Sequence, residues 1–127
     1  MSVRFIVVDD APFVRVLLKS AFQSFGCLCV GEAEDGQEAI DLYQKTLPDL
    51  VLLDLVMPVK NGIETVREMK ALSVNSVIIA CSSLDHESLL QQALDEGCSA
   101  FIVKPFTKND LQNVMKDFFP HTKEASR

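Results

Sequence analysis

None of the four cysteines, Cys27, Cys29, Cys81 and Cys98, belongs to a C-x-x-C pair, and the histidine partners of a zinc site are missing as well. A zinc ribbon or a dithiol centre is thereby excluded. The cysteines read as reduced packing residues, with Cys27 and Cys29 on one face of a strand, because free cysteine is commonly buried and the cytosol is reducing. Nothing approaches the roughly 18 apolar residues of a membrane span. Arg4 and one short aliphatic run lead directly into Asp9 and Asp10, unlike a secretory leader. A cytoplasmic protein with no membrane segment is expected. Positive charge is scarce, 12 Lys and Arg against 18 Asp and Glu for a formal −6, which argues against a sequence-independent nucleic-acid face. The same balance suits a cation site or a basic partner, although solubility alone explains it equally well.

Repeats, low-complexity tracts and linkers are absent from the 127 residues, so one domain is expected, long enough to bury roughly two thirds of its unfolded surface. Residues 1–120 form that domain, and 121–127, HTKEASR, read as a frayed tail. Five short aliphatic runs alternate with helical patterns, the signature of a parallel sheet wrapped by helices. The strands are expected at Phe5–Val8, Leu28–Glu32, Leu50–Leu53, Val77–Cys81 and Ala100–Val103. Most runs are continuous rather than alternating, as in strands covered on both faces. The 28–32 run is the weakest and belongs nearer an edge.

The first helix carries Phe13, Val14, Leu17, Leu18, Ala21, Phe22 and Phe25 at helical spacing, with Pro12 in its first turn and Gly26 after its end. Ala39, Ile40 and Tyr43 mark a second helix, and Ile63, Val66 and Met69 a third. Leu89, Leu90, Ala93 and Leu94 give a fourth, ending at Gly97. Thr107 and Asp110 form a capping pair before Leu111, Val114, Met115, Phe118 and Phe119, and Pro120 stops that fifth helix. Right-handed crossovers favour a doubly wound α/β sheet of the flavodoxin-like kind, in the order 2-1-3-4-5. Ligands in such sheets bind beyond the carboxyl ends of the strands.

Asp9 and Asp10 end the first run, Asp54 the third, Ser82 and Ser83 the fourth, and Lys104 followed by Pro105 the fifth. Singly, each has an ordinary explanation: acids cap helices, serines begin loops and a terminal lysine snorkels into water. Together, three carboxylates at neighbouring strand ends repel one another and raise their pKa values unless a cation compensates. Magnesium, a hard ion that takes oxygen ligands and keeps water, meets that need. It leaves Asp54 as an exposed carboxylate nucleophile. Asp54, the metal and Lys104 are a sufficient set for phosphoryl transfer, with a strand 4 hydroxyl to receive new phosphate oxygens.

VVDD at 7–10, LLDLVMPVKNG at 52–62, IIACSS at 78–83 and FIVKPF at 101–106 together resemble the receiver domain of two-component response regulators, in particular the single-domain chemotaxis regulators of the CheY type. The resemblance spans nearly the whole chain in the right order. It implies that Asp54 is the phosphoacceptor for a sensor histidine kinase. Asp10 would bind Mg2+ directly and Asp9 mainly through water, with Asp54 and the Val56 backbone carbonyl as further ligands and Mn2+ as an expected substitute. Lys104 would pair with the acyl phosphate and Ser82 would be the switch hydroxyl. Phe101 stands at the aromatic that rotates, and Pro105 where a cis peptide is usual. Tyrosine is common at position 101, so Phe101 lacks a hydroxyl, and Ser82 replaces a commoner threonine. Val56 and Leu84 are apolar beside the phosphoryl position and would hold an attacking water poorly, which implies a long-lived acyl phosphate.

With no second domain in the sequence, the resemblance implies a monomer that signals by binding through helix 4, strand 5 and helix 5. A flagellar-motor switch component is one candidate target; a phosphate sink or an unphosphorylated interaction module is the alternative. A haloacid-dehalogenase-type phosphohydrolase would need a second acid where Val56 stands. A flavodoxin-like cofactor binder would need a Ser/Thr/Gly-rich first loop where the sequence has DDAPF.

Overall fold

A computed structural model describes residues 2–73 and 75–120, without the side chain of Leu84. The expected tail at 121–127 and the role given to the Leu84 side chain lie outside the described residues. The elements are β1 (Arg4–Val8), α1 (Pro12–Ser24), β2 (Leu28–Ala33), α2 (Gly36–Thr46), β3 (Leu50–Asp54), α3 (Gly62–Leu72) and β4 (Val77–Ser83). A 3-10 turn (Leu84–His86), α4 (Glu87–Asp95), β5 (Ala100–Lys104) and α5 (Lys108–Phe118) follow. All strand pairings are parallel, in the order β2-β1-β3-β4-β5, with β2 at an edge.

Every strand runs one or two residues beyond its aliphatic stretch at one end. β3, β4 and β5 thereby take in Asp54, Ser82, Ser83 and Lys104. Ladder hydrogen bonds join backbone groups and do not require an apolar side chain, so polarity marks the site rather than the strand end.

Alternation along the strands divides the core into two layers. Ile6, Val8, Val51, Leu53, Ile78 and Ala80 face α2, α3 and α4, where Tyr43, Val66, Met69 and Leu90 meet them. Phe5, Val7, Leu50, Leu52, Ile79 and Cys81 face α1 and α5, against Leu18, Phe22, Leu111 and Met115. Leu52 is fully buried, and withdrawing one such side chain from water contributes about 2 kcal/mol. The same period carries Asp9, Asp54 and Lys104 to the α1 and α5 side of the sheet.

The helix signals are realised locally. Asp35 and Asn61 cap α2 and α3 through the N–H groups of Glu38 and Glu64, and Thr107 with Asp110 forms a complete capping box on α5. Gly26 and Gly97 follow α1 and α4 at φ 86° and 117°, where a side chain would be strained. The expected first helix forms as α1, with Phe13 and Leu17 on it 71 % and 43 % exposed. They form a stripe beside the arc that meets the sheet, and packing falls to Leu18, Phe22 and their neighbours.

Cys27, Cys81 and Cys98 are buried free thiols and Cys29 is half-buried. Burial pushes the thiols of Cys81 and Cys98 up to about 12. Cys27 precedes β2 rather than sharing a strand face with Cys29.

Candidate functional site

At the carboxyl edge, β1 hands the chain to α1 through Asp9, Asp10 and Ala11. Asp9 is 1 % exposed and held on every polar atom. Its Oδ1 accepts the Ala11 N–H at 2.9 Å and its Oδ2 lies 3.0 Å from Lys104 Nζ. Its own N–H donates to the Ala33 carbonyl, and its carbonyl accepts from Arg15 Nη1 at 2.6 Å. Asp10 is exposed. Asp54, one strand over, accepts the Val56 N–H at 3.1 Å and faces Lys104 Nζ at 3.7 Å. One carboxylate oxygen from each of Asp9, Asp10 and Asp54 lies within 4.8 Å of the other two.

Asp54 is 6 % exposed, which corrects the expectation of an exposed nucleophile. The β3 ladder continues through it, pairing Asp54 with Cys81. Burial, more than repulsion, pushes its carboxyl up to about 6, with Asp9 and Asp10 adding to the rise and the Val56 N–H and Lys104 opposing it. Burial alone would depress Lys104, but Asp54 and Asp9 outweigh it and hold the ammonium above the ordinary lysine value.

Three carboxylates set against one lysine leave uncompensated negative charge in a low-dielectric pocket, and their donor set is oxygen only. Such a set fits a hard divalent cation. Ser82 is 2 % exposed, and its Oγ is a buried hydroxyl with no hydrogen-bond partner among the described residues. An unmade bond of that kind costs about 1–3 kcal/mol, and acceptor oxygens arriving at this edge would satisfy it.

The loop after β3 is pressed close. A Cβ on Gly62 would fall 2.4 Å from Leu55 Cα, so only glycine lets α3 begin beneath the end of β3, where the Gly62 N–H bonds the Leu55 carbonyl. Val59 sits at φ 68°, an outlier for a β-branched residue. Val56 turns its side chain outward at 46 % exposure. The Lys104–Pro105 peptide is cis. Phe101 is 44 % exposed and borders, with Leu90, Leu94 and Val103, an open groove of about 760 Å³ between α4 and β5.

Arg15 and Gly62 went unrecognised as shapers of this edge. Neither residue interrupts an apolar run at a strand end, the feature that marked the other site residues. In both cases the only sequence signal was position, one helical turn after the acid pair and eight residues after Asp54.

A family model described as the response regulator receiver domain matches residues 5–116. The chain belongs to the response regulator receiver family. Receiver relatives include the chemotaxis protein CheY of Thermotoga maritima, 39% identical over 106 residues, which are 84% of this chain and 88% of that protein. Protein CcdB of Bacillus subtilis is 36% identical over 118 residues, 93% of this chain and 98% of the relative. Among solved structures, the receiver aligns with one from the CheX-CheY-BeF3-Mg+2 complex of Borrelia burgdorferi at TM-score 0.85 and 34% identity, covering 91% of this chain and 89% of that one. This receiver is thus a phosphorylation-activated element of two-component signalling. Among the described residues no helix is long and apolar enough to cross a membrane.

Proposed function

We propose that Asp54 accepts a phosphoryl group from a phosphohistidine of a sensor kinase, and that the modified receiver signals by altered protein binding, in chemotaxis. The convergence of three carboxylates, Lys104 and the unpartnered Ser82 hydroxyl at one strand edge carries this reading. At pH 7 a carboxyl with a pKa of about 6 is mostly ionised, so Asp54 can attack phosphorus in line. An O–P bond forms on Asp54, the P–N bond of the donor breaks and its imidazole leaves.

Mg2+, with Mn2+ as a substitute, would be held by Asp9, Asp10, Asp54 and the Val56 carbonyl and would supply positive charge to the phosphoryl oxygens. Lys104 exchanges its partner Asp54 for the new phosphate, and Ser82 donates its free hydroxyl to a phosphate oxygen. Movement of β4 toward the phosphate would open space for Phe101 to turn inward and reshape the surface of α4, β5 and α5. Apolar Val56 gives an attacking water no hold, which favours a long-lived acyl phosphate.

Partners on this reading are a histidine kinase and a downstream protein, with a flagellar-motor switch component as one candidate. The receiver would work as a cytoplasmic monomer without contact to nucleic acid. The complex of a Borrelia burgdorferi CheY with CheX supports protein partners for a receiver of this kind. An unphosphorylated module or a dehalogenase-type enzyme is less favoured, the first because acids and lysine are all retained, the second because Val56 replaces the needed acid.

Intact-mass spectrometry after incubation with Mg2+ and a small-molecule phosphodonor tests the reading. A phosphoryl adduct is expected on wild type and not on Asp54→Asn. An undiminished adduct on the variant would remove Asp54 from its role.

A further inference from the structure

We infer that Arg15 is a positioning residue for the acid pair, fixing the peptide between Asp9 and Asp10 so that both carboxylates are aimed at the divalent ion before it binds. This rests on the metal-dependent reading above. Arg15 leaves α1 one turn after its start, and its side chain is only 12 % exposed. Nη1 donates to the Asp9 carbonyl at 2.6 Å while Nε donates to Glu32 at 3.0 Å, and Nη2 stands 3.5 Å from Glu34. Lys19 braces Glu32 from its other side at 2.7 Å. One planar cation thus ties α1 and the end of β2 to the Asp9 carbonyl, the first of the metal-facing turn.

That carbonyl belongs to the Asp9–Asp10 peptide, which is rigid and planar. Fixing its plane fixes the two Cα atoms from which both side chains leave, and so narrows where their carboxylates can reach. Asp9 has further restraints in Ala11 and Lys104. The Asp10 carboxylate has no hydrogen bond or ion pair among the described residues, so the peptide plane is its main guide. Lysine cannot reproduce the arrangement, because one ammonium lacks the fork that reaches the carbonyl and Glu32 together.

Charge and positioning predict opposite signs. Removing a cation beside an anionic site should tighten divalent binding on charge alone, whereas loosening the peptide should weaken it. Free Mn2+ is measured by electron paramagnetic resonance during titration of wild type, Arg15→Met and Arg15→Lys, with circular dichroism as a check on folding. Mg2+-dependence of phosphorylation from a small-molecule donor is recorded alongside.

Arg15→Met is expected to weaken Mn2+ about 10- to 100-fold, in the range seen when outer partners of metal ligands are lost, and Arg15→Lys less so. The half-saturating Mg2+ concentration should rise in step, with the rate at saturating Mg2+ nearly unchanged. Unchanged or tighter Mn2+ binding in Arg15→Met overturns the inference, as does a loss of saturating rate without a loss of affinity. If Arg15→Met does not fold, wild-type affinity in Arg15→Lys overturns it instead. Absence of Mn2+ binding by wild type would defeat the site reading itself, an outcome distinct from equal binding by wild type and variants.

Discussion

At the amino-terminal edge of the sheet, Ser76 is 6 % exposed and fully partnered. Its hydroxyl donates to the Pro48 carbonyl at 2.6 Å and accepts from Tyr43 at 2.9 Å, and Lys70 Nζ reaches its backbone carbonyl at 3.0 Å. At the opposite edge Ser82 is 2 % exposed and its hydroxyl has no partner among the described residues, and Asp54 is buried with its pKa pushed up to about 6. Ser76 immediately precedes strand β4 and Ser82 lies near that strand's other end. The Ser76 hydroxyl closes its hydrogen bonds in the resting state; the Ser82 hydroxyl does not, and such unmet demand is what an incoming charged group can satisfy.

The largest expected loss of stability from a substitution comes from Gly62→Ala at the unsatisfied edge. The added methyl meets the Leu55 backbone, so a loss of about 2–3 kcal/mol and a Tm about 10 °C lower are expected by calorimetry. An unchanged Tm would mean that the close approach of α3 to β3 is not real.

Asp54 sharpens the contrast through pH. Its pKa rises from the ordinary 3.8 to about 6 on folding, so the folded chain binds this proton more tightly than the unfolded one. The associated stability is fully present below about pH 4 and lost as pH climbs past about 6, on the order of 3 kcal/mol without metal. Urea unfolding of wild type and Asp54→Asn across this window should show the difference, and parallel curves would contradict it.

The serines provide a matched pair. Ser76→Ala breaks a bond to Pro48 and removes the acceptor of Tyr43, with an expected loss of about 1–2 kcal/mol. Ser82→Ala removes a hydroxyl that bonds nothing and should be neutral or slightly stabilising. Equal losses in denaturant titrations would erase the difference between the edges. Smallest is Val59→Asn, which relieves a left-handed β-branched residue at an 83 % exposed position and should stabilise by about 1 kcal/mol.

Continuous aliphatic runs made the parallel sheet legible, because a strand covered on both faces has no polar alternation to confuse it. The polar residues ending those runs were legible for the same reason, as interruptions. Burial of Asp54 was not, since it depends on β3 and β4 pairing one residue farther than the apolar stretch. Phe13 and Leu17 fit the helical period, yet which arc meets the sheet is a tertiary fact. Arg15 carries no local signal that distinguishes a guanidinium folded back on Asp9 from one in water. Val59 offered none either, because nothing local to a β-branched residue marks the left-handed φ of 68° that it adopts.

The clustered acids, two of them buried, are held to need a cation, and the carboxyl titration of Asp54 followed by 13C NMR in metal-free and Mg2+-saturated protein addresses that need directly. A pKa near 6 without metal that falls when Mg2+ is added is expected. An ordinary carboxyl value unmoved by Mg2+ would contradict the clustering of these acids into a metal-dependent phosphoacceptor site.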